Sequence, residues 1–423
     1  MRLFLSTMGL VVIAAIALGV GAPASPRQQA TPAASTAQQA TLPGDAASRR
    51  LRNEIAGIER LLPQFVDRGA ALYLLAHHYA RLGDTKKALA LLKECLALDE
   101  GFDPLTARAF AVLKSDTKFD GLAEEAHRRY PPVHRAHVAF TVPEGDLFPE
   151  GLAIDAEKRL FYMGSMHRKK IVKITESGEV SDFVKQDLYD LMPVGGVHAD
   201  PADHSIWAAT DPGEKNRSEI VHFDAQGKLI ERYAAPGAGP HALNDLVLRD
   251  GGEIYTTDTF GNKVYRFDRK SHSFAVETLS RPVFEPNGIT VSGDGRLLYV
   301  ADNLGVIRVD LGNNESREVN PGAHNTLAGI DGLYWYKGDL VGVQYGTGAF
   351  RVMRWKLSAD GRSVTNSEVL ERGTEMVDDP TTGAILDDKF YFMANTGIYN
   401  LEDDKVIDPA KLEPVHIAVI LLK

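Results

Sequence analysis

The sequence predicts an all-β six-bladed β-propeller preceded by a small α-helical, tetratricopeptide-like domain. Two repeats in different phases carry the propeller, and one helical hairpin pattern carries the appendage. In the first phase, a polar or small residue, a small residue and a short apolar strand recur six times. The copies are Pro149-Glu150-Gly151-Leu152, Gly195-Gly196-Val197-His198, Leu243-Asn244-Asp245-Leu246, Pro286-Asn287-Gly288-Ile289, Ile330-Asp331-Gly332-Leu333 and Thr381-Thr382-Gly383-Ala384. Their first polar positions are 150, 195, 244, 287, 331 and 382, spaced 43 to 51 residues apart. In the second phase, the third strand of each unit begins at Ile171, Ile220, Val264, Val306 and Val352, after hairpin turns such as Gly261-Asn262. Weaker fourth strands follow at Val180, Leu229, Phe274 and Val364. Four short antiparallel strands over about 46 residues make one propeller blade. Six blades fit residues 137–423, and the terminal strands Val138–Val142 and Ile417–Leu422 are the candidates to close the ring.

From Arg49 to Tyr130 the apolar period is helical. Leu51, Ile55, Ile58 and Leu62 share one face. Leu75, Ala76, Tyr79, Gly83, Ala88 and Leu92 then resemble the packing positions of one tetratricopeptide repeat, without the proline usual after its second helix. A single copy cannot bury its own faces. A docking module for a protein partner and a structural cap are the two readings, and the lack of a second copy favours the cap. Cys95 reads as a small core residue.

The first 24 residues read as a signal peptide. Arg2 precedes an apolar run, Leu10 to Val20, and Ala22-Pro23-Ala24 offers a cleavage site after Ala24. Periplasmic or extracellular location is expected, with no membrane span after cleavage. An uncleaved anchor is the rival, but Ser6, Thr7, Gly21 and Pro23 oppose it. Residues 25–47, rich in Ala, Gln, Pro, Thr and Ser, read as a disordered linker. The helical domain is placed at 48–132 and the propeller at 137–423.

Composition narrows function. Of 423 residues, 57 are acidic and 47 basic, a formal net charge of −10, which argues against a nucleic-acid partner. One cysteine excludes a disulfide framework and a cysteine-based zinc site. In a propeller the innermost strands line a central channel, so the six aligned positions point toward one another. They read Glu150, Gly195, Asn244, Asn287, Asp331 and Thr382. A convergent set of oxygen donors suits a hard divalent cation. Without one, Glu150 and Asp331 would repel each other in a partly enclosed channel. Turn formation by Asn and Asp explains any one of these residues, but not four in register.

Phe148-Pro149-Glu150-Gly151, Leu243-Asn244-Asp245-Leu246, the long Pro286–Asp302 segment and Ile330-Asp331-Gly332-Leu333 resemble the gluconolactonase/regucalcin family, with the paraoxonases as more distant relatives. The resemblance covers roughly 140–420. It implies that Glu150, Asn287 and Asp331 hold a catalytic divalent metal, with Asn244 touching substrate, the metal-bound water or the metal. It also implies hydrolysis of lactones and other esters, with Asp331 as base. Calcium is the expected ion, because all-oxygen ligands suit it and secreted compartments supply it; related sites accept zinc, manganese or magnesium. Sugar-lactone enzymes of the family carry an arginine where this chain has Ala242, which points to a different lactone or an ester.

His198 and His241, near the channel in sequence, are candidates for a general acid or base, or for hydrogen-bonded turn residues. Asp302-Asn303 reads as a hairpin cap on the far side of its blade from the slot. Asp378-Asp379 is placed at the rim or in a turn, and Tyr334 and Trp335 read as packing between blades. A non-catalytic propeller with a structural cation, binding a small ligand or a protein, is the alternative to a hydrolase. An isomerising or carbon–carbon-forming enzyme ranks below both.

Overall fold

The computed structural model describes residues 45–423, apart from 251 and 349. The expected signal peptide and most of the expected linker lie outside the described residues. Residues 45–47, expected in the linker, are instead the first turn of helix α1 (Asp45–Leu61). Helices α2 (Arg68–Arg81), α3 (Thr85–Leu96) and α4 (Thr117–Arg129) follow. Asp67, Asp84 and Asp116 cap α2, α3 and α4, each carboxylate accepting a backbone N–H of the first turn. Leu75, Ala76, Ala88, Leu92 and Cys95 are buried in this unit. No helix among the described residues is long and apolar enough to cross a membrane.

Six four-stranded antiparallel sheets form the propeller. Blade one runs from Pro149 to Val184, blade two from Val194 to Ala234 and blade three from Leu243 to Val276. Blade four runs from Ile289 to Glu318 and blade five from Ile330 to Arg372. Blade six is composite: Gly383–Leu386 and Lys389–Met393 pair with Val415–Leu421, and His137–Val142 adds the outer strand. The two chain segments expected to close the ring therefore lie side by side, His137 opposite Val419 and Val142 opposite Val415. Closure removes two open sheet edges at once.

Each gap between blades holds its own apolar cluster. Phe140, Phe161 and Tyr391 join blade six to blade one; Tyr162, Val197 and Ala208 join one to two; Trp207, Leu246 and Ile254 join two to three. Val247, Ile289 and Leu298 join three to four, Tyr299, Leu333 and Met353 join four to five, and Tyr336, Val341 and Phe390 join five to six. Strands sandwiched this way read as near-continuous apolar runs, as the fully buried Ile206–Thr210 does, whereas outer strands such as Leu229–Ala234 face solvent.

The helical unit packs on one face of the propeller, termed here the upper face. Leu304 of blade four enters the helical core with Ile55, Ile58 and Leu75, and Ala328 joins Tyr73, Phe102 and Phe110. The polar stitching is buried too. Asp67 accepts from the Thr326 hydroxyl at 2.6 Å, the Leu327 N–H at 3.2 Å and the Ala70 N–H at 2.9 Å. The Arg351 guanidinium donates to the Gly101 carbonyl at 3.0 Å, and the Asp103 N–H donates to Thr347 O at 2.9 Å.

Asp67→Ala orphans three donors and should destabilise the protein by about 1–3 kcal/mol, measured by denaturant unfolding. Burial raises the Asp67 carboxyl from 3.8 to about 6, so the folded state holds this proton more tightly than the unfolded state. Its contribution is complete below about pH 4 and is lost as pH rises through about 6. Asp67→Asn should flatten that part of the stability profile, and an unchanged profile would contradict this role.

Candidate metal centre and active site

The six aligned positions lie at the upper ends of the inner strands, and a repeated backbone device puts them there. In blades one, two, three and five the register between inner and second strands slips by one residue at the slot. The slips fall between Pro149 and Leu152, Val194 and Val197, Leu243 and Leu246, and Ile330 and Leu333. In blade four, Asn287 and Gly288 both bond Ala301, the N–H of one donating to it and the carbonyl of the other accepting. Such a bulge re-aims a side chain out of the pleat; here it turns the slot residue toward the axis.

The residue after the slot is glycine in five blades, for steric reasons. A Cβ on Gly151 would stand 2.1 Å from Gly195 O, one on Gly196 2.7 Å from Asn244 O, and one on Gly288 2.4 Å from Asp331 O. On Gly332 it would be 3.0 Å from the Thr382 Cα, and on Gly383 2.3 Å from Tyr391 O. At Gly151, Gly196, Gly288 and Gly332 the crowding atom belongs to the next blade's inner strand, so these strands approach backbone to backbone, whereas at Gly383 it belongs to the second strand of its own blade. Blade three is the exception. Asp245 fills this place and turns its carboxylate onto the backbone, accepting from Leu246 N at 2.8 Å and Ile289 N at 3.3 Å.

Three slot residues keep an oxygen that satisfies nothing. Glu150 Oε2, Asn287 Oδ1 and Asp331 Oδ1 are buried and have no hydrogen-bond partner among the described residues. Orphaned buried acceptors are rare and costly. Asn244 is partly exposed on the same ring. Thr382, expected as a further oxygen donor, instead gives its hydroxyl to the Glu150 carbonyl at 2.6 Å, and Thr257 likewise donates to Asn287 O at 2.8 Å.

The electrostatics point the same way. Burial, then the charges of Asp331, Asp211 and Asp245, push the Glu150 carboxyl well above its ordinary range. Burial also pushes Asp331 up, with a hydrogen bond from Asn287 opposing it. Asp211 rises to about 6 and Asp245 to about 7, both chiefly by burial. One buried carboxylate, Asp331, and three half-buried ones, Glu150, Asp211 and Asp245, gathered at this end of the channel favour protonation or a cation. The donor set is all oxygen and the three orphan atoms are acceptors, so these residues fit a hard divalent ion. Among the described residues no cluster of three His, Cys, Asp or Glu side chains has metal-binding proximity; the fit rests on the mixed set that includes Asn287.

The two histidines part company. His241 stands at the upper end of blade three. Its Nδ1–H donates to Asp258 Oδ2 at 2.6 Å, while Asp258 Oδ1 is held by the N–H groups of Ala242 and Gly261, each at 2.9 Å. The carboxylate fixes the tautomer, and the buried Nε2 has no partner among the described residues. His198 does not join the site. Three residues past the slot on a strand is about 10 Å of rise, and there it lines a cavity of about 470 Å³ below the ring, with Asp245 and Tyr334. Its Nδ1–H donates to Ala199 O at 3.0 Å, and burial lowers its pKa.

Other expectations are corrected as well. Asp302 lies at the same end of its blade as Asn287, not the far end, and pairs with Arg281 at 2.5 and 2.9 Å. Tyr334 lines the channel and accepts from Gly383 N at 2.7 Å, whereas Trp335 does pack, stacked on Tyr299 with centroids 5.7 Å apart.

Two residues near the site escaped the sequence reading. Asp211 directly follows the second strand of blade two, where Asp258 and Asp302 end those of blades three and four. That third phase of the repeat was legible. Tyr399, in the short Ile398–Asn400 helix of blade six, has its phenol pushed up by burial, and the charges of Asp331 and Glu150 add to the rise. No periodic signal marks it.

No protein-family model and no curated protein matches the chain. Solved structures with a similar chain path include a gluconolactonase of Xanthomonas campestris, 17% identical, covering 70% of this chain and 98% of that one, with a TM-score of 0.48. A calcium-binding protein, regucalcin, of Agrobacterium tumefaciens is 16% identical over 66% of this chain and 93% of that one, with a TM-score of 0.47. Virginiamycin B lyase of Staphylococcus aureus is 13% identical over 68% and 99%, with a TM-score of 0.46.

Gly288→Ala forces the inner strands of blades four and five apart and should cost about 1–3 kcal/mol. Gly121→Ala, on α4 with nothing within 4 Å of the new Cβ, should instead stabilise by up to about 1 kcal/mol. Paired thermal melts check both, and equal shifts would contradict the packing account of the ring.

Proposed function

We propose that this chain is a metal-dependent hydrolase of lactones or related carboxylic esters, working at the upper end of the propeller channel. The observation that carries the reading is the trio of orphaned oxygens, Glu150 Oε2, Asn287 Oδ1 and Asp331 Oδ1, on one ring of bulged strands. These residues, with Asn244 beside them, would hold the cation, and calcium suits their all-oxygen chemistry. A divalent cation there supplies polarisation of the substrate carbonyl and charge to offset the oxyanion.

The chain's own residues handle the proton. His241 Nε2 carries a free lone pair in the tautomer that Asp258 imposes, the arrangement of an oriented general base. It takes a proton from water as the oxygen adds to the carbonyl. The ring C–O bond then breaks, and the leaving alkoxide recovers the proton from the imidazolium. The product is the hydroxy acid. Asp331, the base that the family resemblance implies, is here placed first as a ligand, with proton acceptance as its alternative role. The leader-like residues 1–24 support export to the periplasm or the cell exterior as part of the same proposal.

The test is ring-opening of aliphatic, aromatic and sugar lactones by the mature chain, with and without chelator. Turnover should disappear on chelation and return with calcium. His241→Ala should lower kcat by at least about 100-fold, and His198→Ala should leave it unchanged. Calcium-raised thermal stability with no turnover of any lactone or ester would sink the hydrolase and leave a structural cation in a binding propeller.

A further inference from the structure

The helical unit does more than cover the upper face. Its segment 101–108 is sewn to the blade-five loop between Gln344 and Arg351. Asp103 N donates to Thr347 O at 2.9 Å, and the Thr106 hydroxyl donates to Gly348 O. Gly348 has φ +96° and lies so close to Asp103 O that a Cβ would fall 1.8 Å from it. Immediately after this seam the chain turns into a short helix, Arg108–Leu113, anchored by buried Phe110 and Leu113. Arg108 is thereby carried across to blade six. Its guanidinium lies 3.2 Å over the ring of Tyr399 and 4.0 Å from Asp379 Oδ2.

Tyr399 links this arginine to the candidate metal centre. Its ring stacks on Tyr345, centroids 5.6 Å apart, and Tyr345 stacks on Phe350 at 5.2 Å, so an aromatic wall crosses blades five and six. Asp379, the ion-pair partner of Arg108, stands three residues before the blade-six slot residue Thr382, which sets the arginine at the slot end of that blade. Burial with the charges of Asp331 and Glu150 raises the Tyr399 phenol, while Arg108 opposes the rise. The Arg108 side chain is 56% exposed, and among the described residues it donates no hydrogen bond at bonding distance. A stacked guanidinium held by a π face and one long ion pair is positioned, yet keeps its planar fork of N–H groups available. Asp379 only partly counters its charge, since burial beside Asp378 pushes that carboxyl up to about 7.

We propose that Arg108 is the specificity-determining residue of this site, a cation brought by the helical domain to receive a carboxylate that the substrate carries away from its scissile carbonyl. The proposal rests on the hydrolytic reading for its reacting carbonyl. One planar fork matches one carboxylate in parallel hydrogen bonds. A dianionic phosphate would need more positive charge than this mouth offers against Asp211, Asp245, Glu150 and Asp331. The aromatic wall supplies the surface for the ring or chain that joins carboxylate to carbonyl.

The test uses two lactams that resist hydrolysis, pyroglutamate and its neutral amide, pyroglutamide. Their binding to the calcium-loaded mature chain is measured by calorimetry. Wild type should bind the carboxylate probe at least about tenfold more tightly than the amide. Arg108→Ala should erase that preference, leaving the amide affinity and the melting temperature unchanged. Arg108→Lys should recover only part of it, because an ammonium lacks the fork. Equal affinity for the two probes in wild type, no binding of either, or a preference that survives Arg108→Ala overturns the proposal. An Arg108-dependent preference without turnover of any lactone would remove the hydrolase reading alone. Turnover without the preference would remove this one alone.

Discussion

Everything in the site depends on how closely six inner strands approach one axis. At four slots the next inner strand comes within backbone contact, and the residue after the slot is glycine, Gly151, Gly196, Gly288 and Gly332. In blades one, two, three and five a one-residue bulge re-aims the slot side chain. Sterics and register together bring Glu150, Asn287 and Asp331 to one place and leave one oxygen of each without a donor among the described residues. Burying carboxylates this way is unfavourable alone. The fold tolerates it because six apolar clusters between the blades, and the closure of the ring by the N- and C-terminal strands, leave the backbone little freedom to relax.

The helical unit follows the same logic from outside. Its second helix is buried almost throughout, so it needs the propeller as much as the propeller's upper loops need cover. Asp67, Arg351 and Asp103 satisfy buried backbone groups on the other side of that contact. A consequence of this tight seam is that Arg108, far in sequence from every blade, lies over Tyr399. Cap and site are therefore one structure.

The blades were legible because a strand repeated six times leaves two phases in the sequence, and aligning them picks out the slot residues directly. The bulges were not legible, since register is set by pairing across the sheet rather than by local residue type. The glycines after five of the slots are visible only as small residues in the sequence; the reason for four of them is a contact between blades. His198 stands about 10 Å along its strand from the slot, since each residue advances about 3.3 Å, and a repeat that marks the slot does not say which neighbours reach it. Asp302 was misjudged for a related reason, as its hairpin returns to the slot end of the blade. Asp211 could have been found from Thr210-Asp211, Thr257-Asp258 and Ala301-Asp302, which repeat at the ends of second strands. Tyr399 and Arg108 could not, because loop and interdomain placement leave no periodic trace.

The orphaned oxygens of Glu150, Asn287 and Asp331 call for a cation. The most direct measurement is calorimetric titration of calcium into the chelator-stripped mature chain, beside the Glu150→Gln variant. The native protein should show one saturable site per chain, with affinity falling at least about tenfold when that carboxylate becomes an amide. No heat of binding with calcium or any other divalent ion, or identical affinity in the variant, would contradict it.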